Sequence, residues 1–299
     1  MTSANLAANP YSQAPALAQA LALPVSAYVG QRIAKTLLTE QIANLPGSTA
    51  VDKRLVNQLL AELHWLAALK PATCGLAAWQ TDTHDYLEIA VLHAVLYGSS
   101  AAAPVASANR PNQLTRLIEL IHRTIPYPVV LIVSQPGAQG STEQLSLAHK
   151  RLPVGNSSAM VLEQTITTQQ IATKSIAACA HMTGAKSQFV HYLTFNQAPS
   201  ASATNATRPF YELYARYSDW LHAAEALAAA QHTGQFTVST TAPEAARRRN
   251  ALAAYDQLGQ QLAILRAQAR KESQLGQRAA LNIQIAQRMA ERQELLGSL

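Results

Sequence analysis

The stretch "QLTRLIELIHRTIPYPVVLIV" (residues 113–133) decides the fold, because a helix signal and a strand signal stand one turn apart in it. Apolar side chains recur there at spacings of three and four residues, which predicts an amphipathic helix: Leu114, Leu117, Ile118, Ile121 and Ile125. "IPYP" (125–128) ends the helix, since a residue before proline avoids helical geometry. "VVLIV" (129–133) is apolar at both parities and predicts a strand buried on both faces.

The flanking segments extend this unit in both directions. "DYLEIAVLHAVLY" (85–97) predicts a strand before the helix, and "PGAQGS" (136–141) is typical of a turn. "QLSLAHKR" (144–151) alternates and predicts the next strand, with further strands at 160–166 and 188–195. The order strand, helix, strand, hairpin, strand indicates an α+β fold, a mixed sheet with flanking helices.

The N-terminal part of the chain is predicted to be mainly helical. Val29, Ile33 and Leu37 recur every four residues, and Thr49–Leu69 predicts a long helix capped by Ser48 or Thr49. "TCGLAAW" (73–79) predicts a short strand. We divide the chain into a flexible arm (1–20), an α+β core (21–196), a linker and helix (197–242) and a tail (243–299).

The tail predicts a long helix or a helical hairpin of coiled-coil type. Tyr255, Leu258, Leu262 and Leu265 alternate at three and four residues and form an apolar seam. A single helix cannot bury such a seam alone. Its cover is a fold-back after Gly276, a second copy of the chain, or another protein, and the sequence leaves all three open.

Charge is concentrated in the same segment. The chain carries a net charge of +6, and residues 243–299 hold nine cationic and five anionic side chains, a net of +4. The first basic residue is Arg32, so the N-terminal segment lacks the positively charged region of a signal peptide. No apolar run approaches the ~20 residues of a membrane span. We therefore expect a cytoplasmic protein without a membrane partner, in which Cys74 and Cys179 are free thiols.

Motifs of common enzymes are missing from the sequence. It contains no phosphate-binding GxxxxGK[ST] loop, no GxGxxG and no GxSxG. The nine histidines are scattered, and the pair His84 and His93 matches no usual metal-ligand spacing. We expect no cofactor, no bound metal and, as the first interpretation, no enzymatic activity.

One catalytic alternative stays open. Metal-dependent nucleases hold carboxylates and a lysine on adjacent strands, and Glu88 and Lys150 fit that description. The simpler interpretation is that Glu88 and Lys150 form an ion pair across the sheet.

Four basic residues are candidates for contact with nucleic acid: Arg32, Lys35, Lys150 and Arg151. Phosphate contacts of this kind would depend on salt. The alternative is that these side chains only form soluble surfaces, and that "HKR" (149–151) is the polar end of an edge strand.

Taken together, these segments resemble the prokaryotic family called domain of unknown function four-three-nine-one. The resemblance runs from about residue 21 to the C-terminus and is carried by the following pieces: "QRIAKTLL" (31–38), "VDKRLVNQ" with "ELHWLAALKPAT" (51–73), "YLEIAVL" (86–92), "LIELIHRTIPYPVVLIV" (117–133), "LAHKR" (147–151) and "LRAQARKESQLGQRAALN" (265–282).

The resemblance implies a genomic setting beside helicases and DNA methyltransferases, in restriction-modification and phage-defence loci. It supplies no catalytic residues. It leads us to expect a non-enzymatic accessory subunit that binds a helicase or a methyltransferase, with DNA as a further candidate partner. The seam at Tyr255, Leu258, Leu262 and Leu265 is the expected contact, and self-association through the tail is the alternative.

Overall fold

The computed structural model describes residues 9–98, 110–153, 160–177, 184–195 and 212–299. These form two compact units, residues 1–224 and 225–299. The helices are α1 (Ala16–Leu21), α2 (Lys35–Asn44), α3 (Ala50–Leu59), α4 (Pro71–Cys74), α5 (Arg110–Thr124), α6 (Thr173–Ala177), α7 (Ala185–Tyr192), α8 (Leu213–Thr233), α9 (Ala242–Lys271) and α10 (Leu275–Leu295). The strands are β1 (Tyr28–Ile33), β2 (Leu60–Leu69), β3 (Trp79–Gln80), β4 (Asp85–Tyr86), β5 (Ile89–Leu96), β6 (Val129–Gln135), β7 (Thr142–Ala148), β8 (Lys150–Arg151), β9 (Val161–Leu162), β10 (Ile166–Thr167) and β11 (Ile171–Ala172).

A mixed sheet forms the centre of the first unit, so the predicted α+β class is confirmed. Its order is β1-β2-β5-β6-β7-β10, and β11 also pairs with β7. Only β5 and β6 are parallel among these neighbours, joined through α5, with Leu92 opposite Leu131. Helices α2, α3 and α5 contribute to the core cluster with the inner side chains of β2, β5 and β6. The segment 113–133 therefore has the helix, turn and buried strand predicted for it.

The predicted helix Thr49–Leu69 is wrong in its second half. Helix α3 begins after Thr49 and ends at Leu59, and the chain continues at once as β2. The pairing of β2 with β5 shifts register between Leu60 and Glu62 and again between Trp65 and Ala67. Each bulge adds a residue to the strand, so apolar positions recur at three-residue spacing and imitate a helix.

Three other predictions need correction. Residues 28–33 form the edge strand β1, so Val29 and Ile33 do not lie on a helix, whereas Leu37 lies in α2. The predicted strand 188–195 is mainly α7, because Phe189, Val190 and Leu193 are buried at helical spacing. Residues 73–79 contain the end of α4 and only the first residue of β3.

The predicted flexible arm is folded where the structure describes it. Residues 10–21 contain a 3-10 turn and α1, with Leu17 and Leu21 fully buried. The Glu143 carboxylate on β7 accepts hydrogen bonds from the backbone N–H groups of Ala16 (3.0 Å) and Leu17 (2.7 Å). Residues 1–8 and the predicted linker 197–208 lie outside the described residues.

A partly buried ion pair fixes the start of α3 against α5. The Arg116 guanidinium donates from Nε to Asp52 Oδ1 (2.9 Å) and from Nη2 to Oδ2 (3.1 Å). The Thr49 N–H donates to the same carboxylate (2.9 Å), so Thr49 is the cap, one of the two candidates that the sequence left open. The bonds from Arg116 are the main reason that the pKa of Asp52 falls to about 2.

We expect acid to remove the contribution of this pair to stability. The pKa of Asp52 is depressed in the folded state, so its stabilisation is present above about pH 4 and is lost as the pH falls through about 2. At about 1.4 kcal/mol per pKa unit, the loss is about 2 kcal/mol. Thermal melting between pH 6 and pH 2 measures it. The Asp52→Asn variant should lack this slope, and the exposed control Asp82→Asn should keep it; equal slopes in all three proteins would contradict the assignment.

The second unit contains an antiparallel hairpin of α9 and α10, which reverses at Glu272–Gln274, just before Gly276. The Arg292 guanidinium lies over the Tyr255 ring, 3.9 Å from its centroid, and a side chain at Gly259 would contact Arg292. Of the three covers left open for the seam, the structure shows the fold-back, although the reversal comes before Gly276 and not after it as predicted. No helix in the described ranges is long and apolar enough to cross a membrane.

Candidate functional site

Lys150 is a buried structural lysine, only 2% exposed. Its ammonium donates hydrogen bonds to the carbonyl oxygens of Ile125 and Tyr127. Ile125 directly follows α5, so Lys150 satisfies one of the carbonyls that a helix end leaves without an internal partner. Burial lowers the pKa of Lys150 to about 7, and the amine donates hydrogen bonds in either protonation state.

Glu88 does not meet Lys150, so the predicted ion pair is wrong. Glu88 is 7% exposed and lies between β4 and β5, where Oε2 pairs with Lys70 Nζ at 3.0 Å. The two side chains of the nuclease hypothesis thus face different partners. Across the described part of the chain, no group of three or more His, Cys, Asp or Glu side chains is placed to hold a metal ion.

The four basic candidates are spread over the sheet, with Arg32 on the edge strand β1 opposite His64. Lys35 donates to the Leu60 carbonyl (3.2 Å) and to the Tyr97 hydroxyl (3.1 Å), at the carboxyl end of β5. Lys150 and Arg151 follow β7, which is antiparallel to β6, at the amino ends of β5 and β6. A strand of seven residues separates the two ends by about 20 Å. The structure does not gather these residues into one patch.

The exposed members of this set have carboxylate partners nearby. Arg32, on β1, pairs with Glu62 at 3.2 Å. Arg151 pairs with Glu163 at 3.2 Å, and the same Glu163 oxygen lies 3.6 Å from His84 Nε2. Contact with nucleic acid at these positions stays a prediction, and it would have to compete with the carboxylates.

An aromatic cluster that sequence reasoning missed surrounds His149, which is 6% exposed. The Tyr86 hydroxyl and His149 Nδ1 form a hydrogen bond, and burial raises the pKa of Tyr86. Tyr214 stacks on Trp79 with 4.0 Å between the ring centroids. These side chains come from β3, β4, the start of α8 and the β7–β8 junction, so no local motif could reveal the cluster.

Polar side chains also cross the sheet from β2 to β6. His93 Nε2 and Ser134 Oγ are 2.9 Å apart, and His64 Nε2 is 2.9 Å from Glu62 Oε2. Burial, and next the charge of His64, lowers the pKa of His93 to about 4, so its ring is neutral at pH 7. His93 contacts Ser134, whereas His84 lies beside Glu163, so the two histidines belong to different clusters.

The α9 seam is not a free surface. Tyr255 and Leu262 are buried, and Leu258 and Leu265 are half-buried, where α9 packs along α10. Partner contact through these four residues would require the hairpin to open.

Helix α10 instead presents apolar side chains to solvent, and no residue of this helix is buried. At 100° per residue, six exposed side chains occupy an arc of about 120°, which we call the α10 apolar arc: Leu275, Ala279, Ile283, Ala286, Met289 and Ala290. Leu275, Ile283 and Met289 are 73%, 61% and 49% exposed. The arc contains no ionised side chain, and the exposed polar side chains of Asn282 and Gln293 also fall within it.

Residues 21–291 match the family described as Domain of unknown function (DUF4391). The chain belongs to this family. The DUF4391 match extends over most of both compact units and includes the sheet and most of the hairpin. No curated protein and no solved structure gives a significant match.

Two of the segments that indicated DUF4391 meet in space. "LIELIHRTIPYPVVLIV" supplies the carbonyl oxygens of Ile125 and Tyr127, and "LAHKR" supplies the ammonium of Lys150 that binds them. This contact joins the turn before β6 to the end of β7. In this DUF4391 chain, Lys150 therefore has an architectural role.

Proposed function

We propose that the protein is a non-enzymatic accessory subunit and that the α10 apolar arc is its docking surface. The proposed partner is a helicase or a DNA methyltransferase, which we expect to be encoded in the same restriction-modification or phage-defence locus. In this role the protein positions another subunit and performs no chemistry of its own.

The exposure of the α10 apolar arc carries this proposal. Exposed apolar side chains clustered on a helix cost free energy in water, at roughly 25 cal/mol per Å², and that cost is recovered when a partner covers them. Such surfaces mark interaction sites when they are clustered rather than scattered. A helix that offers side chains one turn apart suits a partner helix packed along it.

The arrangement of the hairpin supports the same conclusion. The α9 seam holds α9 against α10 and leaves the opposite side of α10 uncovered. The Arg292–Tyr255 contact holds the two helices together near the end of α10, far from the reversal. The docking helix is thus held in place before a partner binds, which lowers the entropic cost of association.

Substitution of Ile283 tests the proposal. We expect Ile283→Asp to weaken co-purification with a helicase or methyltransferase partner at least tenfold, because a charge replaces a large exposed apolar side chain midway along the length of the arc. Pull-down of each partner with the full chain measures it, and circular dichroism verifies that the helix content is unchanged.

The matched control is Gln284→Asp, an exposed change one residue away and about 100° around the helix. It should leave partner recovery unchanged. Equal recovery with Ile283→Asp and the natural chain, or equal loss in both variants, would refute docking through this arc.

A further inference from the structure

Three arginines lie on one side of the α9–α10 hairpin. Arg266 and Arg270 are both exposed and are one helical turn apart on α9, so their side chains are neighbours. Arg266 Nη2 is 3.4 Å from Met289 Sδ on α10, which shows where this side of α9 borders α10.

Arg278 lies on the same side. It precedes Met289 by eleven residues, which is close to three complete turns, so both side chains leave α10 in nearly the same direction. We call Arg266, Arg270 and Arg278 the arginine face. Met289, at the edge of the α10 apolar arc, lies beside it.

The arginine face has no counter-charge of its own. Among the residues that the structure describes, no ion pair involves any of the three arginines. Glu291 pairs with Arg288 at 2.6 Å, Glu272 accepts from the Gln274 N–H at 2.7 Å, and Glu244 accepts from the Thr240 N–H at 2.9 Å. Like charges one turn apart repel, so an anionic partner would stabilise this surface.

We propose that the docking element of the partner is an acidic amphipathic helix. Its apolar side covers the α10 apolar arc, and its carboxylates pair with Arg266, Arg270 and Arg278. This inference rests on the proposed function and adds the chemical class of the partner. Arginine is well suited to bind such a helix, because its guanidinium forms paired hydrogen bonds with a carboxylate.

A phosphate backbone satisfies only half of this surface. Nucleic acid would neutralise the arginine face but would leave Leu275 and Ile283 exposed, because phosphates offer no apolar cover. An acidic helix meets both requirements at once, since the arginine face and the α10 apolar arc share an edge at Met289.

Synthetic helical peptides of about 20 residues test the inference, with binding to the full chain measured by fluorescence anisotropy. One peptide carries leucine at core positions and glutamate at the flanks, the second carries lysine in place of glutamate, and the third probe is a DNA duplex. We expect the acidic peptide to bind at least tenfold more tightly than the basic one, with a preference that weakens as salt rises.

Two double variants provide the matched comparison. Arg266→Glu/Arg270→Glu should reverse the preference toward the basic peptide. Arg247→Glu/Lys271→Glu changes the net charge equally, at exposed α9 positions off the arginine face, and should keep the acidic preference.

Equal affinity for both peptides, equal effects of the two double variants, or no peptide binding would overturn the inference. DNA binding that Arg266→Glu/Arg270→Glu abolishes would assign the arginine face to phosphate and overturn it as well. If Ile283→Asp abolishes partner recovery while peptide charge has no effect, the proposed function stands and only the acidic helix fails.

Discussion

Replacing Lys150 with alanine is expected to lower the free energy of unfolding by about 3–4 kcal/mol. The change leaves a cavity where a long side chain is fully buried, at a cost similar to other large-to-small core substitutions. It also removes the donor to the carbonyls of Ile125 and Tyr127, and a buried acceptor without a partner costs about 1–3 kcal/mol. Urea denaturation followed by circular dichroism measures the difference at pH 7.

Arg151 is the matched control, since it adjoins Lys150 but has a side chain that is 48% exposed. Arg151→Ala should lower the free energy of unfolding by no more than about 1 kcal/mol, as is typical of exposed ion pairs. Lys150→Met fills the cavity without supplying a donor, so its loss should be intermediate. Equal losses at 150 and 151 would mean that Lys150 does not hold the turn before β6.

The sequence predicted elements best where one periodicity ran undisturbed. Helix α5 and strand β6 have long, uniform patterns, and both lie where they were expected. The prediction for β2 was wrong because its two bulges give apolar residues the spacing of a helix. These bulges are visible only in the pairing of β2 with β5. Helix α7 failed because eight residues rich in apolar side chains fit either a strand or a short helix.

The candidate sites were harder to predict, because their partners are distant in sequence. A cationic pair at the end of a strand looks like a soluble edge, yet Lys150 binds carbonyls 23 and 25 residues earlier. The tail seam was visible as a pattern, but the pattern could not say which of three covers it receives. Because α10 covers the seam, the surface left for a partner is the other side of α10.

Replacing Tyr217 with phenylalanine is expected to cost about 2–3 kcal/mol, although only one oxygen is removed. This side chain of α8 is fully buried, and its hydroxyl accepts from the Ala148 N–H (2.9 Å). The same hydroxyl lies 2.8 Å from the Val129 carbonyl oxygen and 2.9 Å from that of Ala148, so its proton is shared between them. Phenylalanine keeps the ring packing but leaves these buried groups without this partner. Thermal and urea unfolding measure the loss.

Tyr214 is the matched control, because its ring packs in the same region while its hydroxyl makes no such bridge. Its ring stacks on Trp79 and, at 5.4 Å between centroids, on His149, whereas its hydroxyl makes no hydrogen bond to any described residue. Tyr214→Phe should therefore change the free energy of unfolding by less than about 0.5 kcal/mol, as for substitutions that disturb no partner. If the two variants lose the same stability, the hydroxyl of Tyr217 does not bridge β6 and β7. If only Tyr217→Phe loses stability, the contact of α8 with the ends of these strands depends on that bridge.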